Sequence, residues 1–207
     1  TGGVGIGRYG DAASNYWSGW IDEVRVSNGT ARWIADFTPP ASAYTSNGKI
    51  GNGALEFKGS GESLTLADST DWDLGSGDFT IDAWVLFHAN QPGTIVGQYL
   101  NAGQFSWVLV YSTNLMYFQY STNGSGVTNL TFPWTYVSET WIHIAAVRSG
   151  ASLKFYVNGT QIGSTADMTG VTIFNSSDAL SVGQTSSQYF NGLIDELRVS
   201  KGIARWT

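Results

Sequence analysis

Short segments with strand character follow one another through most of this 207-residue chain. In Phe79–Phe87 every second residue is apolar, beginning with Phe79 and ending with Phe87. A period of two is typical of a β-strand that packs one face against a core. Sustained helical periodicity is found nowhere in the sequence, and the only short helical candidate is a turn at 202–206. The pattern therefore predicts an all-β fold.

Turn signals separate these segments and set how they connect. Asn158-Gly159 stands between two apolar segments and predicts a tight hairpin, because a type I′ turn needs positive φ at both central residues. About eleven short strands in one domain favour a two-sheet antiparallel β-sandwich of the jelly-roll type. The predicted strands are 54–57, 63–66, 79–87, 94–98, 105–111, 116–120, 141–148, 153–157, 160–164, 179–183 and 192–199.

Composition excludes several classes of partner. Aromatic residues make up 14% of the chain and charged residues only 13%, against about 25% in an average globular domain. The net charge is −6 and the basic residues are scattered, so nucleic acid and anionic membranes are poor partners. Apolar runs are too short for insertion into a membrane, which takes about 18 residues. The absence of cysteine excludes a thiol nucleophile and a disulfide framework.

One motif occurs twice. Residues 19–34 and 192–207 are identical at eleven of sixteen positions, at a constant offset of 173 residues. A repeat of that length has the size of a whole domain. We therefore expect residues 1–40 to be the C-terminal strand region of a preceding repeat, and 41–207 to form one sandwich domain. The strand 20–26 is expected to pair with a neighbouring repeat, in the same chain or a homo-oligomer, or to extend the sheet of the main domain.

Three segments carry a resemblance to a known family. FTIDAWVLF at 79–87, WIHIAAVRSGASLKFYVNGTQIG at 141–163 and GLIDELRVSKGIARW at 192–206 resemble the signature strands of laminin G-like domains. These domains form a branch of the concanavalin A-like lectin/glucanase superfamily, and ALEFKGSGESLTL at 54–66 is similar to their opening. The resemblance implies a two-sheet sandwich. The Ala-Arg-Trp ending, as it stands at 31–33, resembles copies in bacterial and phage surface or tail proteins.

Catalysis finds little support in the sequence. Glycoside hydrolysis needs an acid and a second carboxylate about 5–10 Å apart. The main unit has no Glu-x-Asp-x-x-Glu run, and its glutamates lie far apart in sequence. His143 stands between two isoleucines in a predicted strand, and we interpret it as a structural histidine. We therefore predict that the chain is not an enzyme.

Asp195 is the candidate metal ligand. Strand alternation places it on one face with Leu193, Leu197 and Val199, where a carboxylate is costly unless it is paired or bound to a metal. Members of the superfamily often hold a structural Ca²⁺ with a closing-strand aspartate and backbone carbonyls, so the resemblance points to Asp195. A loop such as Lys58–Gly61 would supply carbonyl oxygens. The alternative, hydrogen bonds without an ion, stays open.

A sugar site needs aromatic rings and amide or carboxylate groups that converge. Residues 98–120 mix both types densely, and 132–136 resembles an aromatic loop. The alternative is that the rings fill the core, and it is favoured for Trp84 and Trp141. For Tyr99, Trp107 and Trp134 the two interpretations stay open. The candidate ligand-binding residues are Tyr99, Asn101, Gln104, Trp107 and Trp134.

Two functions are compatible with these features. The first is a non-catalytic, lectin-like module of a repeat-containing extracellular or virion surface protein, with a glycan or cell-surface polysaccharide as partner. The second is a structural or adhesive repeat of a fibre or stalk with no glycan ligand. Tandem repetition fits both, because repeated weak sites gain avidity.

Overall fold

The computed structural model describes residues 48–50, 53–185 and 188–207, which belong to one compact unit. The N-terminal repeat fragment predicted at 1–40, with its strand at 20–26, lies outside these residues. The described elements are fourteen strands and one 3-10 helix at Thr70–Trp72. The strands are β1 Leu55–Lys58, β2 Leu64–Leu66, β3 Phe79–Phe87, β4 Gly93–Gln98, β5 Phe105–Ser112, β6 Leu115–Gly124, β7 Thr128–Pro133, β8 Ile142–Ser149, β9 Ser152–Val157, β10 Thr160–Asp167, β11 Leu180–Val182, β12 Gln184–Thr185, β13 Gln188–Tyr189 and β14 Asn191–Lys201.

The strands form two large antiparallel sheets, as predicted. The first sheet has the order β1-β14-β3-β8-β9-β10, and the second has the order β2-β11-β4-β5-β6-β7. Strands β12 and β13 pair in a small separate ribbon. Because β14, close to the C-terminus, pairs with both β1 and β3, the closing motif lies inside the first sheet.

Alternation explains which side chains fill the space between the sheets. In β3, Ile81, Ala83 and Val85 are buried in the core, as the period of two predicts. In β5, Trp107 and Leu109 belong to the same core. Apolar burial of this kind supplies about 25 cal/mol for each Å² removed from water, and it holds the two sheets together.

Most predicted strands lie within one or two residues of the observed ones, and β3 has the predicted bounds. The Asn158-Gly159 hairpin is confirmed, because φ is 49° at Asn158 and 78° at Gly159. Strand β7 was not predicted, and it includes part of the segment expected to be an aromatic loop. The closing segment after Lys201 forms a turn at Gly202 and then an irregular tail with a bend at Arg205 and no helix.

The tail crosses the outer face of the first sheet, which is the face turned away from the core. The Thr80 hydroxyl donates to the carbonyl of Ile203 at 2.8 Å and accepts from the backbone N–H of Arg205 at 2.9 Å. The Arg205 side chain donates to the Ser200 hydroxyl at 3.0 Å. Over the part of the chain that the structure describes, no helix is long and apolar enough to span a membrane.

Candidate functional site

Trp84 lies on the outer face of the first sheet. It belongs to β3, between Ala83 and Val85, which both point into the core. Its neighbours across the sheet are Asp195 of β14 and His143 of β8. The Trp84 ring is half-buried and meets the His143 ring edge-on, with 5.3 Å between the ring centroids. A partly exposed indole on a rigid sheet is therefore available at this face.

The carboxylate of Asp82 anchors the polar side of this surface. It accepts two hydrogen bonds from the Arg198 guanidinium, at 2.8 and 3.1 Å, and lies 3.2 Å from His143 Nε2. Burial acts to raise the pKa of Asp82, but the hydrogen bonds from His143 and Arg198 outweigh it, and the pKa is lowered. The same contact with Asp82 raises the pKa of Arg198. Asp82 is therefore held ionised, and both partners are fixed in place.

A β-bulge in β14 determines what surrounds this network. The register between β14 and β3 shifts between Asp195 and Arg198, and Glu196 within the bulge has φ of 49°. The extra residue reverses the alternation, so Asp195 shares the outer face with Trp84 while Leu197 and Val199 pack against the core. The prediction that Asp195 shares one face with Leu197 and Val199 is therefore wrong. The bulge places both Asp195 and Arg198 on the outer face.

These side chains enclose a pocket of about 370 Å³ on the outer face, here named the Trp84 pocket. The volume is within the range for small-molecule sites. Lys49 Nζ lies over the Trp84 ring, 4.7 Å from its centroid, and forms a cation–π contact at the rim. The residues that line the pocket are Ile50, Asp82, Trp84, His143, Glu196, Leu197 and Arg198.

A larger cavity of about 660 Å³ opens between the two sheets. Its walls include Leu55, Leu64 and Leu66, which are substantially exposed, together with Trp72. Asp195 and Glu196 also line this cavity, but the rest of its lining is mostly apolar and offers few partners to the hydroxyl groups of a sugar. The smaller Trp84 pocket, with its carboxylates and guanidinium, is chemically the better match to a polar ligand.

Three of the predicted ligand residues do come together, at the connection between β4 and β5. Tyr99 stacks on Phe105 with 4.2 Å between the ring centroids. The backbone and side-chain N–H groups of Asn101 donate to the Asp178 carboxylate at 2.8 and 2.7 Å. Gln104 Oε1 accepts from the backbone N–H of Ser177 at 2.9 Å. Much of the polar capacity of this group, here named the Tyr99 loop, is used to hold the loop itself.

The two remaining ring candidates lie elsewhere. Trp107 is fully buried, and its indole N–H donates to the carbonyl of Trp72 at 3.0 Å. It is a core residue, so its prediction as a ligand contact is wrong. Trp134 follows β7, and its backbone N–H bonds to Asn114 in the β5–β6 turn. The length of β5 separates it from the Tyr99 loop by about 25 Å, and its ring packs on Phe87 at 5.6 Å.

Asp195 makes the hydrogen bonds that were expected if this carboxylate binds no ion. Its two oxygens accept from the backbone N–H groups of Ile50 and Glu196, each at 2.8 Å. The pairing of Lys58 with Asn191 places the loop 58–61 four residues along β14 from Asp195, or about 13 Å away. Among the residues described, no group of three His, Asp or Glu side chains is placed to hold a metal ion. Both oxygens of Asp195 are therefore used in hydrogen bonds, as the alternative without an ion expects, and the calcium site stays a prediction.

Sequence reasoning missed Trp84 as a site residue, although the signal was present. We expected Trp84 and Trp141 in the core; both are instead half-buried, and neither belongs to the core cluster. If Ile81, Ala83 and Val85 face inward, the same alternation turns Asp82 and Trp84 outward. The interpretation of His143 as a structural histidine is supported by its contact with Asp82.

Comparison with known proteins agrees with this architecture. A laminin G-type family model, described as the Concanavalin A-like lectin/glucanases superfamily, matches residues 58–204. Mouse pappalysin-1 is 30% identical over 132 residues, which are 56% of this chain and 8% of that protein. The chain therefore spans less than a tenth of the curated relative it matches.

Two solved structures show the same fold at low sequence identity. Domains LG4-5 of the mouse laminin alpha1 chain align with a TM-score of 0.53 and 18% identity, over 70% of this chain and 40% of that one. The ligand binding domain of botulinum neurotoxin serotype D, solved in complex with N-acetylneuraminic acid, aligns with a TM-score of 0.57 and 10% identity, over 74% and 40%. Because the family model matches residues 58–204, which is well over half of the chain, this chain belongs to the laminin G-like branch of the Concanavalin A-like lectin/glucanases superfamily.

Proposed function

We propose that this chain is a non-catalytic, lectin-like carbohydrate-binding module of an extracellular surface protein, and that the Trp84 pocket holds the glycan. The observation that carries the proposal is the combination of a half-buried indole with a fixed ion pair in one pocket. Sugars present C–H faces that pack on aromatic rings and hydroxyls that bond to charged groups. The serotype D toxin domain supports the proposal, because its partner in the solved complex is a sugar.

The polar groups of the Trp84 pocket are already arranged before a ligand arrives. Arg198 and His143 hold the Asp82 carboxylate from two sides, and the Arg198 side chain is 47% exposed. A sugar hydroxyl can therefore approach the guanidinium without a rearrangement of the sheet. Because fixed partners lose little conformational entropy on binding, this arrangement favours affinity.

The Lys49 ammonium group covers part of the Trp84 ring, where a sugar would stack. A cation–π contact at an exposed position contributes about 0.5–1 kcal/mol. A sugar ring that stacks on Trp84 displaces the ammonium group at that cost, and Lys49 can then bond to a hydroxyl at the rim. Lys49→Ala should therefore change affinity far less than Trp84→Ala.

The lowered pKa of Asp82 supports a binding role over a catalytic one. A glycosidase acid must be protonated near neutral pH, which requires a raised pKa. The contacts of Asp82 with His143 and Arg198 shift its pKa in the opposite direction. Asp82 therefore serves better as a fixed acceptor than as a proton donor.

The test is a glycan array followed by calorimetric titration of the full chain with the best sugar. We expect Trp84→Ala to weaken binding at least about tenfold, which corresponds to one aromatic contact of about 1.4 kcal/mol. The matched variant Tyr99→Ala removes a half-buried ring at the other candidate site and should leave affinity unchanged. The opposite result would move the glycan to the Tyr99 loop.

A structural repeat without a ligand is the second candidate function, and the closing motif favours it. The residues shared by the two copies make contacts inside the fold: Arg198 to Asp82, Arg205 to Ser200, and the Trp206 ring to His143 with 5.5 Å between ring centroids. The motif is therefore explained by structure alone. If the folded protein binds no sugar on the array, this second function replaces the first.

A further inference from the structure

An ammonium group already occupies the aromatic face of the Trp84 pocket. Lys49 Nζ lies 4.7 Å from the centroid of the Trp84 ring, although Lys49 itself is exposed to solvent. The backbone next to it is held in place, because the N–H of Ile50 donates to Asp195 Oδ2 at 2.8 Å. A cation is attracted to the electron-rich face of an indole. The position over Trp84 therefore accepts a positive charge.

Negative charge exceeds positive charge along the lining of the pocket. The Arg198 guanidinium donates hydrogen bonds of 2.8 and 3.1 Å to Asp82. These bonds raise the pKa of Arg198, and the negative charge of Glu196, which also lines the pocket, raises it further. Among the described residues that line the pocket, Arg198 is the only lysine or arginine. One guanidinium therefore faces two carboxylates.

A third carboxylate lies beside the Trp84 ring. Asp195 is the residue opposite Trp84 on β14, and its two oxygens accept hydrogen bonds from uncharged backbone N–H groups. These bonds leave its negative charge in place. A sugar that stacks on Trp84 displaces Lys49 and removes a positive charge from this acidic surface. The ligand that loses least on binding therefore brings a positive charge of its own.

We propose that the Trp84 pocket selects a sugar with a free, protonated amino group, such as a de-N-acetylated hexosamine unit of a cell-surface polysaccharide. This inference rests on the proposed function and specifies the class of glycan. The C–H face of the sugar packs on Trp84, and its ammonium group replaces that of Lys49 beside Asp195 and Glu196. An N-acetylated sugar lacks this charge, and an acidic sugar is repelled by the carboxylates.

A general attraction between opposite charges is the competing explanation. The chain has a net charge of −6, and a glycan with several ammonium groups is attracted to any acidic protein. Such attraction is spread over the surface and does not depend on one carboxylate, whereas selection in the pocket requires Trp84 and Glu196. Neutralising Glu196 or a distant carboxylate changes the net charge equally, so the two variants separate the explanations.

The first experiment titrates the full chain with two tetrasaccharides that have the same backbone and follows binding by calorimetry. They are the β-1,4-linked glucosamine tetramer and its fully N-acetylated form. Both are measured at about pH 6, below the α-amino pKa range of about 7.7–8.0. We expect the free amine to bind about fivefold more tightly, from a cation–π contact and exposed ion pairs. A tetramer of galacturonic acid should bind more weakly than either.

The second experiment repeats both titrations with variants of the chain. Glu196→Gln should lower the preference for the free amine by about half or more, because one attractive charge is lost. Asp167→Asn removes the same charge at the exposed end of β10 and should keep the preference. Trp84→Ala should weaken both tetramers. Lys49→Ala should tighten the glucosamine tetramer about two- to fivefold, since its ammonium group no longer competes for the ring.

The outcomes distinguish this inference from the proposed function. Equal affinity for the two tetramers, or binding of neither by a chain that binds another sugar, would overturn the inference and leave the proposed function in place. The inference also fails if Asp167→Asn lowers the preference as much as Glu196→Gln, because the attraction then belongs to the whole surface. If the folded chain binds no sugar of any class, the proposed function fails with it.

Discussion

Trp84 and Trp107 lie in neighbouring parts of the same sandwich but have opposite roles. Trp107 is enclosed between the sheets and bonds through its indole N–H to Trp72, while Trp84 projects from the outer face and borders a pocket. Both lie in strands with alternating side chains. A tryptophan in a strand therefore borders an open pocket only where its side chain points away from the other sheet.

The polar groups around Trp84 and Trp107 differ as well. Around Trp84 the charges of Asp82 and Arg198 are paired with each other beside an open pocket. Around Trp107 a buried glutamine and the nearby Asp73 each keep one unpartnered oxygen. The charged groups beside Trp84 therefore satisfy one another, whereas these two buried oxygens have no hydrogen-bond partner in the described part of the chain.

The largest expected effect distinguishes the two tryptophans by stability. Trp107→Ala should lower the free energy of unfolding by about 3–5 kcal/mol, because it leaves a large cavity in the core. Trp84→Ala removes a half-buried ring and should cost less than half as much. Urea unfolding followed by circular dichroism measures both. Equal losses would show that the outer face is as fully packed as the core.

A smaller effect is expected at the ion pair below Trp84. Asp82→Ala leaves the Arg198 guanidinium without its partner, but that side chain is 47% exposed and regains water. We expect a loss of about 1–3 kcal/mol in urea unfolding at neutral pH. Asp167→Ala, at the exposed end of β10, is the control and should cost well under half of that.

The stability that the Asp82 ion pair contributes also depends on pH. The pKa of Asp82 in the folded state lies below its unfolded value of about 3.9, so its ion pair stabilises the fold above that pH. This stability is lost as the pH falls through the folded pKa. Asp82→Asn should therefore lose less stability than the wild type between neutral pH and about pH 3. An equal loss of stability in both proteins would contradict the lowered pKa of Asp82 in the folded state.

The smallest expected effect concerns the tail that crosses the outer face. Gly202 has φ of 76°, and its backbone N–H donates to the carbonyl of Asp78 at 2.7 Å. Gly202→Ala should cost about 1–2 kcal/mol, because a side chain is strained in the left-handed region. Gly77→Ala, where φ is not in that region, should be near neutral. Thermal unfolding measures the stability of both variants. Equal melting temperatures would show that position 202 does not require a glycine.

The local sequence pattern was sufficient to predict most of the strands and one turn. The alternation in Phe79–Phe87 predicted β3 with its observed bounds, and Asn158-Gly159 predicted positive φ at both residues. Strand β7 was missed because Phe132-Pro133-Trp134 has the composition of a loop. Its strand form depends on pairing with β6, which brings Met116 opposite Phe132.

The candidate site was less accessible to such reasoning. Tyr99, Asn101 and Gln104 are close in sequence, so their proximity in space could be predicted. Joining Asp82 to Arg198 requires two strands that are 116 residues apart to pair in the correct register. A one-residue bulge at Glu196 then decides which side chains of β14 face outward, and the sequence carries no plain sign of it.

Alternation and local backbone preference were enough to predict the short strands and the tight turns, and the closing motif is visible in two copies from residue identity alone. Which tryptophan is enclosed and which borders a pocket follows from the packing of the two sheets on each other. That choice depends on which face of each sheet meets the other sheet, and burial between distant strands is a property of the assembled fold.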